Sequence, residues 1–353
     1  MKILAYIGAF NESVDRSLAA LRAQTRPPDG IVVVDNASTE SPPEGPFPPG
    51  VTFVRSEENL GPSGAISRGM QLALETGYEW IWVFDADSEP EPDALAKLVE
   101  LYESLDAQTQ DQVGALCCSH LLLPSQQIFL GRMLTPGGPR RPRLVPGRPW
   151  HECDAILWSG SLYRLDVVRT IGLPRCGTAG YWDDFGHDYG DMEFSLRVRS
   201  AGQRIFVHRE AVLAHHIGDS RELRVLGRSA LTTNHPAERR FLFFRNMVYF
   251  WVYLFPRRNW PLLLAWFGWR FGATISKIVL TEPDKAARVT ACVQGIWCGL
   301  RGELDTRHGV RREPLERDHD GAPEPEHRVR RVADEVVAHQ VSAERGEARD
   351  HRE

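Results

Sequence analysis

Five short apolar runs punctuate the first 120 positions: ILAYI at 3–7, IVVVD at 31–35, TFVRS at 52–56, WIWVFD at 80–85 and VGALCC at 113–118. Most are β-branched and nearly continuous rather than alternating, the pattern of strands covered on both faces. Between them the period changes. Val14, Leu18 and Leu21 recur at helical spacing, as do Ile66, Met70, Ala73 and Leu74, and then Leu95, Leu98, Val99, Tyr102 and Leu105 from about Pro92. Each set makes one apolar stripe. The alternation predicts a βαβαβ series, and so an α/β domain with an open, mostly parallel sheet flanked by helices.

In such sheets ligands bind beyond the carboxyl ends of the strands. Polar residues mark three of those ends: Asn11-Glu12, Asp35-Asn36 and Asp85-Ala86-Asp87. Any one of them could be a turn or cap residue. Three on one edge are hard to explain as packing. The last is the most telling, because four large apolar residues lead straight into two carboxylates one residue apart. Carboxylates beside a core need a cation. Two oxygen ligands at i and i+2 suit a hard divalent ion such as Mg²⁺ or Mn²⁺, which keeps waters and bridges phosphate oxygens. A metal–diphosphate site is the first expectation.

Past residue 120 the pattern loosens. GRMLTPGGPRRPRLVPGRPW at 131–150 reads as a long loop. From 239 to 281 seven basic residues appear with no acidic one, among crowded Phe, Tyr and Trp. That composition predicts helices lying in a membrane interface as a peripheral contact. A helical subdomain packed on the catalytic core, or an oligomer interface, competes with that reading. From about 303 the chain is charged and free of aromatics, as in a disordered tail.

Composition narrows the classes. The 353 residues allow one large domain or two smaller ones, and a net charge of −5 argues against binding nucleic acid through phosphate neutralisation. The six cysteines form no CxxC pair or zinc spacing and read as reduced thiols in a cytosolic setting. No 18-residue apolar stretch lacks a charge, which argues against a membrane-spanning helix, and the opening residues read as a strand rather than a signal segment. A cytoplasmic protein, peripheral at the inner face of the cell membrane, is expected.

The ordered set GAFNE, VVDNAS, NLGPSGAISRGMQLA and WVFDADSEP resembles the nucleotide-sugar half of family 2 glycosyltransferases. Downstream, SGSLYRLDVVRTIGLP and DYGDMEFSLRVRSAG resemble the family's acceptor-side segments, and AVLAHHIGDS and FLFFRNMVYF, following in the family's order, resemble its rhamnosyl- and galactofuranosyl-transferases. The resemblance covers about residues 3 to 250. It implies a GT-A fold over 1–225, with a nucleotide-sugar half at 1–120 and an acceptor half at 121–225. A helical region at 226–302 and the tail at 303–353 would follow.

The resemblance also implies roles. The donor would lie against Ala9, Phe10, Glu12, Asp35, Asn59, Gly61, Gly64, Asp85, Ala86 and Asp87, with Asp35 at the base. Asp87, Asp85 and His215 (or its neighbour His216) would hold Mn²⁺ or Mg²⁺; imidazole suits Mn²⁺ better. Asp191 would be the base that takes the acceptor's proton. Trp158, Ser159, Gly160, Asp184 and Glu193 would face the acceptor, although a Glu193–Arg197 helix pair is the plainer reading. One residue departs from the family pattern: Gly190 stands where an acidic residue usually precedes the base, and Asp183, Asp184 or Asp188 could compensate. The implied reaction is an inverting, metal-dependent transfer of rhamnose or galactofuranose from a dTDP- or UDP-linked donor to a glycan or lipid-linked hydroxyl in envelope or polysaccharide biosynthesis. A catalytically degenerate sugar-nucleotide-binding scaffold and a nucleotidyltransferase are the alternatives.

Overall fold

The structure is a computed structural model that describes residues 1–43, 45–123, 125–175, 185, 187–216, 221–225, 228–232, 234–256 and 258–304, with the backbone alone described at 216, 221–225 and 228–232. The expected disordered tail, apart from Glu303 and Leu304, lies outside the described residues.

The chain runs β1 (Ile3–Ala9), α1 (Asp15–Arg22), β2 (Gly30–Asp35), β3 (Val51–Arg55), α2 (Gly61–Glu75), β4 (Trp80–Asp85), β5 (Ser88–Pro90) and α3 (Ala94–Ser104). It continues through α4 (Ala107–Asp111), β6 (Val113–Leu123), β7 (Gln127–Phe129), β8 (Met133–Thr135), β9 (Gly138–Arg140), β10 (Trp150–Cys153), β11 (Ser161–Arg164) and α5 (Leu165–Ile171). The last elements are α6 (Gly190–Ser200), β12 (Arg204–His216), β13 (Arg221–Val225), β14 (Arg228–Thr232), α7 (Ala237–Tyr249), α8 (Trp260–Thr281) and α9 (Lys285–Leu300).

The main sheet has the order β10-β12-β6-β11-β4-β1-β2-β3. β4, β1, β2 and β3 are mutually parallel, as the continuous apolar runs predict. Their side chains fill two layers, one on each face. Trp82, Phe84, Leu95 and Leu98 belong to one layer and Tyr6, Met70, Ile81 and Val83 to the other, all essentially inaccessible. Each such side chain contributes about 1.5–3 kcal/mol of burial. The sequence pattern missed β11. This four-residue strand inserts antiparallel between β4 and β6, so VGALCC does not neighbour WIWVFD directly. Ser161 and Leu162 are too short a run to stand out, and the strand is held by pairing on both edges rather than by its own pattern.

The run at 131–150 also carries more order than a loop. Pro136 and Gly137 turn the β8–β9 hairpin, and Gly138 sits at φ 105°, where a side chain would strain. The hairpin leans on α8, since a Cβ on Gly137 would lie 2.8 Å from Leu262 Cβ.

The aromatic, basic segment divides its residues between two tasks. Phe241, Phe244, Phe250, Trp251 and Phe255 are buried in a helical core with Leu263 and Ile278. Among the described residues nothing covers the outer side of α8, where Leu264, Trp269 and Leu280 are 60–67% exposed. No helix among the described residues is long and apolar enough to cross a membrane.

α7 and α9 meet backbone to backbone. A Cβ at Gly295 would lie 2.4 Å from the Phe241 carbonyl oxygen, and one at Gly299 2.6 Å from that of Arg245. Gly268 on α8 has open space. Gly295→Ala should therefore destabilise the protein by about 1–3 kcal/mol in chemical denaturation. Gly268→Ala should leave it unchanged or raise stability by up to about 1 kcal/mol. Equal effects would contradict the close α7–α9 approach.

Candidate functional site

Parallel register brings the strand ends level. Gly8 pairs with Asp85, and Ala9 with Asp35. Beyond this edge lies a cavity of about 590 Å³. Its wall includes Ala9, Phe10, Glu12, Asn59, Gly61, Asp85, Ala86, Asp87, Trp158, Ser159, Asp191 and His215, all expected from the sequence.

The acidic turn is fixed from several sides. The Ser17 hydroxyl, on α1, donates to the Ala86 carbonyl. The Asp85 amide donates to Ser159 Oγ at 3.2 Å, and Ser159 Oγ lies 2.7 Å from Ser88 Oγ. β5 then turns back to pair with β12, setting Ser88 opposite His215. Ser88 Oγ and His215 Nδ1 are 3.0 Å apart, and Nδ1 is 3.7 Å from Asp87 Oδ1. One ligand atom each from Asp85, Asp87 and His215 lies within 4.8 Å of the others. Two hard oxygens and an imidazole at this spacing fit a divalent cation, with Mn²⁺ accommodating the imidazole better than Mg²⁺. Burial pushes the Asp85 carboxyl up, as does Glu12, while His215 and Arg239 oppose the rise.

Behind this turn stands His120, which composition and spacing did not single out. Its Nε2 donates to the Ser159 carbonyl at 2.7 Å. Burial, then the nearby His215, pushes its pKa down to about 3, so the ring is neutral. Ser159, expected at the acceptor, is thus also the joint linking His120, Ser88 and the strand end.

Asp191 opens α6 on the same cavity. Burial, opposed by the Met192 amide at 2.7 Å and aided by Asp188 and Asp85, pushes its carboxyl up to about 7. Gly190 has a steric reason: a Cβ there would lie 2.3 Å from Ser63 Oγ and 3.0 Å from the Phe185 carbonyl oxygen. A side chain at that position would have to displace the Ser63 hydroxyl, which donates to the Phe185 carbonyl at 2.7 Å. Asp188 lines the cavity instead. Burial alone would raise its carboxyl, but His187, Arg239 and His235 hold it below the usual range. Asp183, Asp184 and the His216 side chain lie outside the described residues.

Other expected residues sit elsewhere. Asp35 is fully buried; its carboxylate takes Arg55 Nη1 at 2.5 Å and the Ser38 amide at 3.1 Å, and it does not reach the cavity. Asn36, its neighbour, lines the wall instead, bonding Asn59 Oδ1 at 2.9 Å and so shaping the entry to α2. Gly64 is buried inside α2, and Gly160, at φ 75°, packs against Leu213 and Cys118. Glu193 pairs with Arg197 at 2.9 Å and with Arg175 at 3.5 Å, while Arg197 bonds the Ile171, Gly172 and Leu173 carbonyls. It braces α6 to the end of α5.

The sequence reading also passed over Tyr6, His235, Glu238 and Arg239, all on the wall. Arg239 is the one guanidinium or ammonium there among the described residues, facing Glu12, Asp85, Asp87, Asp188, Asp191 and Glu238. Its place at the start of the aromatic segment hid it among the other arginines.

The raised Asp191 carboxyl has a stability consequence. The fold holds its proton more tightly than the unfolded chain does, so the penalty is absent below the ordinary carboxyl range. It grows as pH rises and is complete above about 7. Asp191→Asn should therefore stabilise the protein by about 2 kcal/mol at pH 8, less than the full shift because the carboxyl faces cavity water, and by nothing at pH 4. Denaturant titrations at both pH values test this; a pH-independent difference contradicts it.

Comparison with known proteins fits this geometry. The profile of Glycosyl transferase family 2 matches residues 5–120. The galactofuranosyltransferase GlfT1 of Mycolicibacterium smegmatis is 27% identical over 276 residues, covering 74% of this chain and 85% of that protein. The undecaprenyl-phosphate mannosyltransferase of Micrococcus luteus is 25% identical over 232 residues, 60% of this chain and 85% of that one. The crystal structure of S. aureus TarS 1-349 in complex with UDP-GlcNAc superposes with a TM-score of 0.51 at 13% identity, over 84% of this chain and 82% of that one, a likeness of fold. Profile, relatives and architecture agree with the ordered motifs: residues 5–120 carry a family 2 glycosyltransferase domain, set in a GT-A-like fold.

Proposed function

We propose that the protein is an inverting, divalent-metal-dependent galactofuranosyltransferase acting on a UDP-linked donor and a glycan or lipid-linked acceptor of the cell envelope. The observation that carries this reading is the placement of the Asp85–Asp87–His215 cluster and Asp191 on one cavity wall. The galactofuranosyltransferase relative supports the choice of sugar.

In this reading Asp87, Asp85 and His215 hold the cation. Such an ion supplies positive charge to the departing diphosphate. Asn36, Asn59 and Gly61 shape the donor's bed, and Arg239 adds a fixed positive charge to a wall of carboxylates. Asp191, ionised above about pH 7, accepts the proton of the acceptor hydroxyl as that oxygen attacks the anomeric carbon. A single displacement inverts the centre, with no nucleophilic side chain required. Packing accounts for Gly190, so that residue gives no support to a degenerate scaffold.

The uncovered side of α8 supports contact with an anionic bilayer. Leu264, Trp269 and Leu280 offer apolar surface, and the segment from 239 to 281 is basic. Apolar burial and lipid charge would act together.

Two experiments test these readings. With Mn²⁺, calorimetry should show binding of UDP-galactofuranose over dTDP-rhamnose, UDP-glucose and GDP-mannose, and Asp87→Ala should weaken it at least about 10-fold. Tighter dTDP-rhamnose binding would change the sugar, and binding indifferent to Asp87 would remove the metal site. For the membrane, the protein should float with vesicles containing phosphatidylglycerol and not with neutral ones, and Trp269→Glu with Leu280→Glu should abolish flotation. Unchanged flotation of the variant would rule out this side of α8 as the contact, and self-association without flotation would rule the bilayer out.

A further inference from the structure

The Phe-Arg-Asn stretch of α7 has no place in the chemistry above, yet Arg245 and Asn246 are both completely buried. Their hydrogen bonds point at the base. The Asn246 side chain uses both amide protons on backbone oxygens, donating to the His187 carbonyl at 2.6 Å and to the Asp188 carbonyl at 2.9 Å. Its Oδ1 accepts from Arg245 Nε at 2.9 Å, which fixes the amide's orientation. Arg245 in turn donates through Nη1 to the Leu304 carbonyl, just past α9.

The two carbonyls lie where the backbone is strained. Asp188 and Tyr189 have φ of 54° and 63°, a left-handed pair without glycine. Such residues persist only where their surroundings hold them. The Tyr189 ring is held between Phe243 and Phe250, each with its centroid 5.7 Å away. Gly190 follows, wedged against Ser63 and Phe185, and Asp191 comes next on the first turn of α6.

We propose that Asn246 is a positioning residue for Asp191: its amide pins the left-handed 188–189 turn and so sets where the base carboxylate enters the cavity. Arg245 aligns that amide and links it to the end of α9. The inference rests on Asp191 being the base.

The test uses two substitutions. Asn246→Asp keeps an oxygen acceptor for Arg245 and the side-chain volume, but replaces the donors facing the two carbonyls with oxygen. Asn246→Ala removes the side chain. Turnover is read as UDP release from UDP-galactofuranose with Mn²⁺, donor-site integrity as calorimetric binding of UDP with Mn²⁺, and folding as the melting temperature. Asp191→Asn is run in parallel. The expected result for Asn246→Asp is a fall in kcat of about 10- to 100-fold, with UDP affinity within about 2-fold of the parent. Near-parental kcat in Asn246→Asp, with Asp191→Asn inactive, overturns the positioning role and leaves the base in place. Near-parental turnover in Asp191→Asn removes the base and the inference with it. Loss of UDP binding and kcat together in both Asn246 variants, in step with melting temperature, makes the residue part of the scaffold alone and also overturns the proposal.

Discussion

Everything in this protein is arranged around carboxylates that cannot be left unpaired near a core. Asp85 ends a strand whose Trp82, Val83 and Phe84 are fully inaccessible. Asp87 follows two residues on, and Asp191 and Asp188 face the same cavity. Burial first, and then the neighbouring Asp188 and Asp85, resists ionisation of Asp191, whose carboxyl is raised to about 7. In the proposed reading, a divalent cation held by Asp85, Asp87 and His215 would offset the negative charge of this wall.

Holding such a wall takes rigidity from far along the chain. β5 doubles back onto β12, which is how Ser88 meets a histidine 127 residues later. His120 and Ser159 reinforce the turn from the adjacent strands. The helical region contributes in the same way: α9 approaches α7 at Gly295 and Gly299, and α7 delivers Arg239 to the cavity and Asn246 to the backbone just before Asp191. The C-terminal helices are in this sense part of the site.

The sequence made the strands of the parallel half legible because burial on both faces forces continuous apolar runs. The order of motifs, more than any one motif, singles out Asp85, Asp87, His215 and Asp191, and the fold brings these four to one cavity wall. The antiparallel β11 escaped notice because four residues carry no period. Asp35 and Glu193 are each paired with an arginine, Arg55 and Arg197, contacts that no linear pattern of the chain distinguishes from a ligand contact. Arg239 and Asn246 were hidden for the opposite reason: their contacts come from tertiary placement of a helix that reads as merely aromatic and basic.

The central claim is that Asp87, Asp85 and His215 together hold a divalent ion on the diphosphate of a sugar donor, facing Asp191. Anomalous X-ray diffraction from crystals grown with Mn²⁺ and UDP tests it most directly. The account predicts one strong manganese peak within coordination distance of Asp87 and His215 and in contact with the diphosphate, with Asp191 across the cavity. A peak elsewhere, or UDP bound in the cavity with no manganese beside it, would contradict the account.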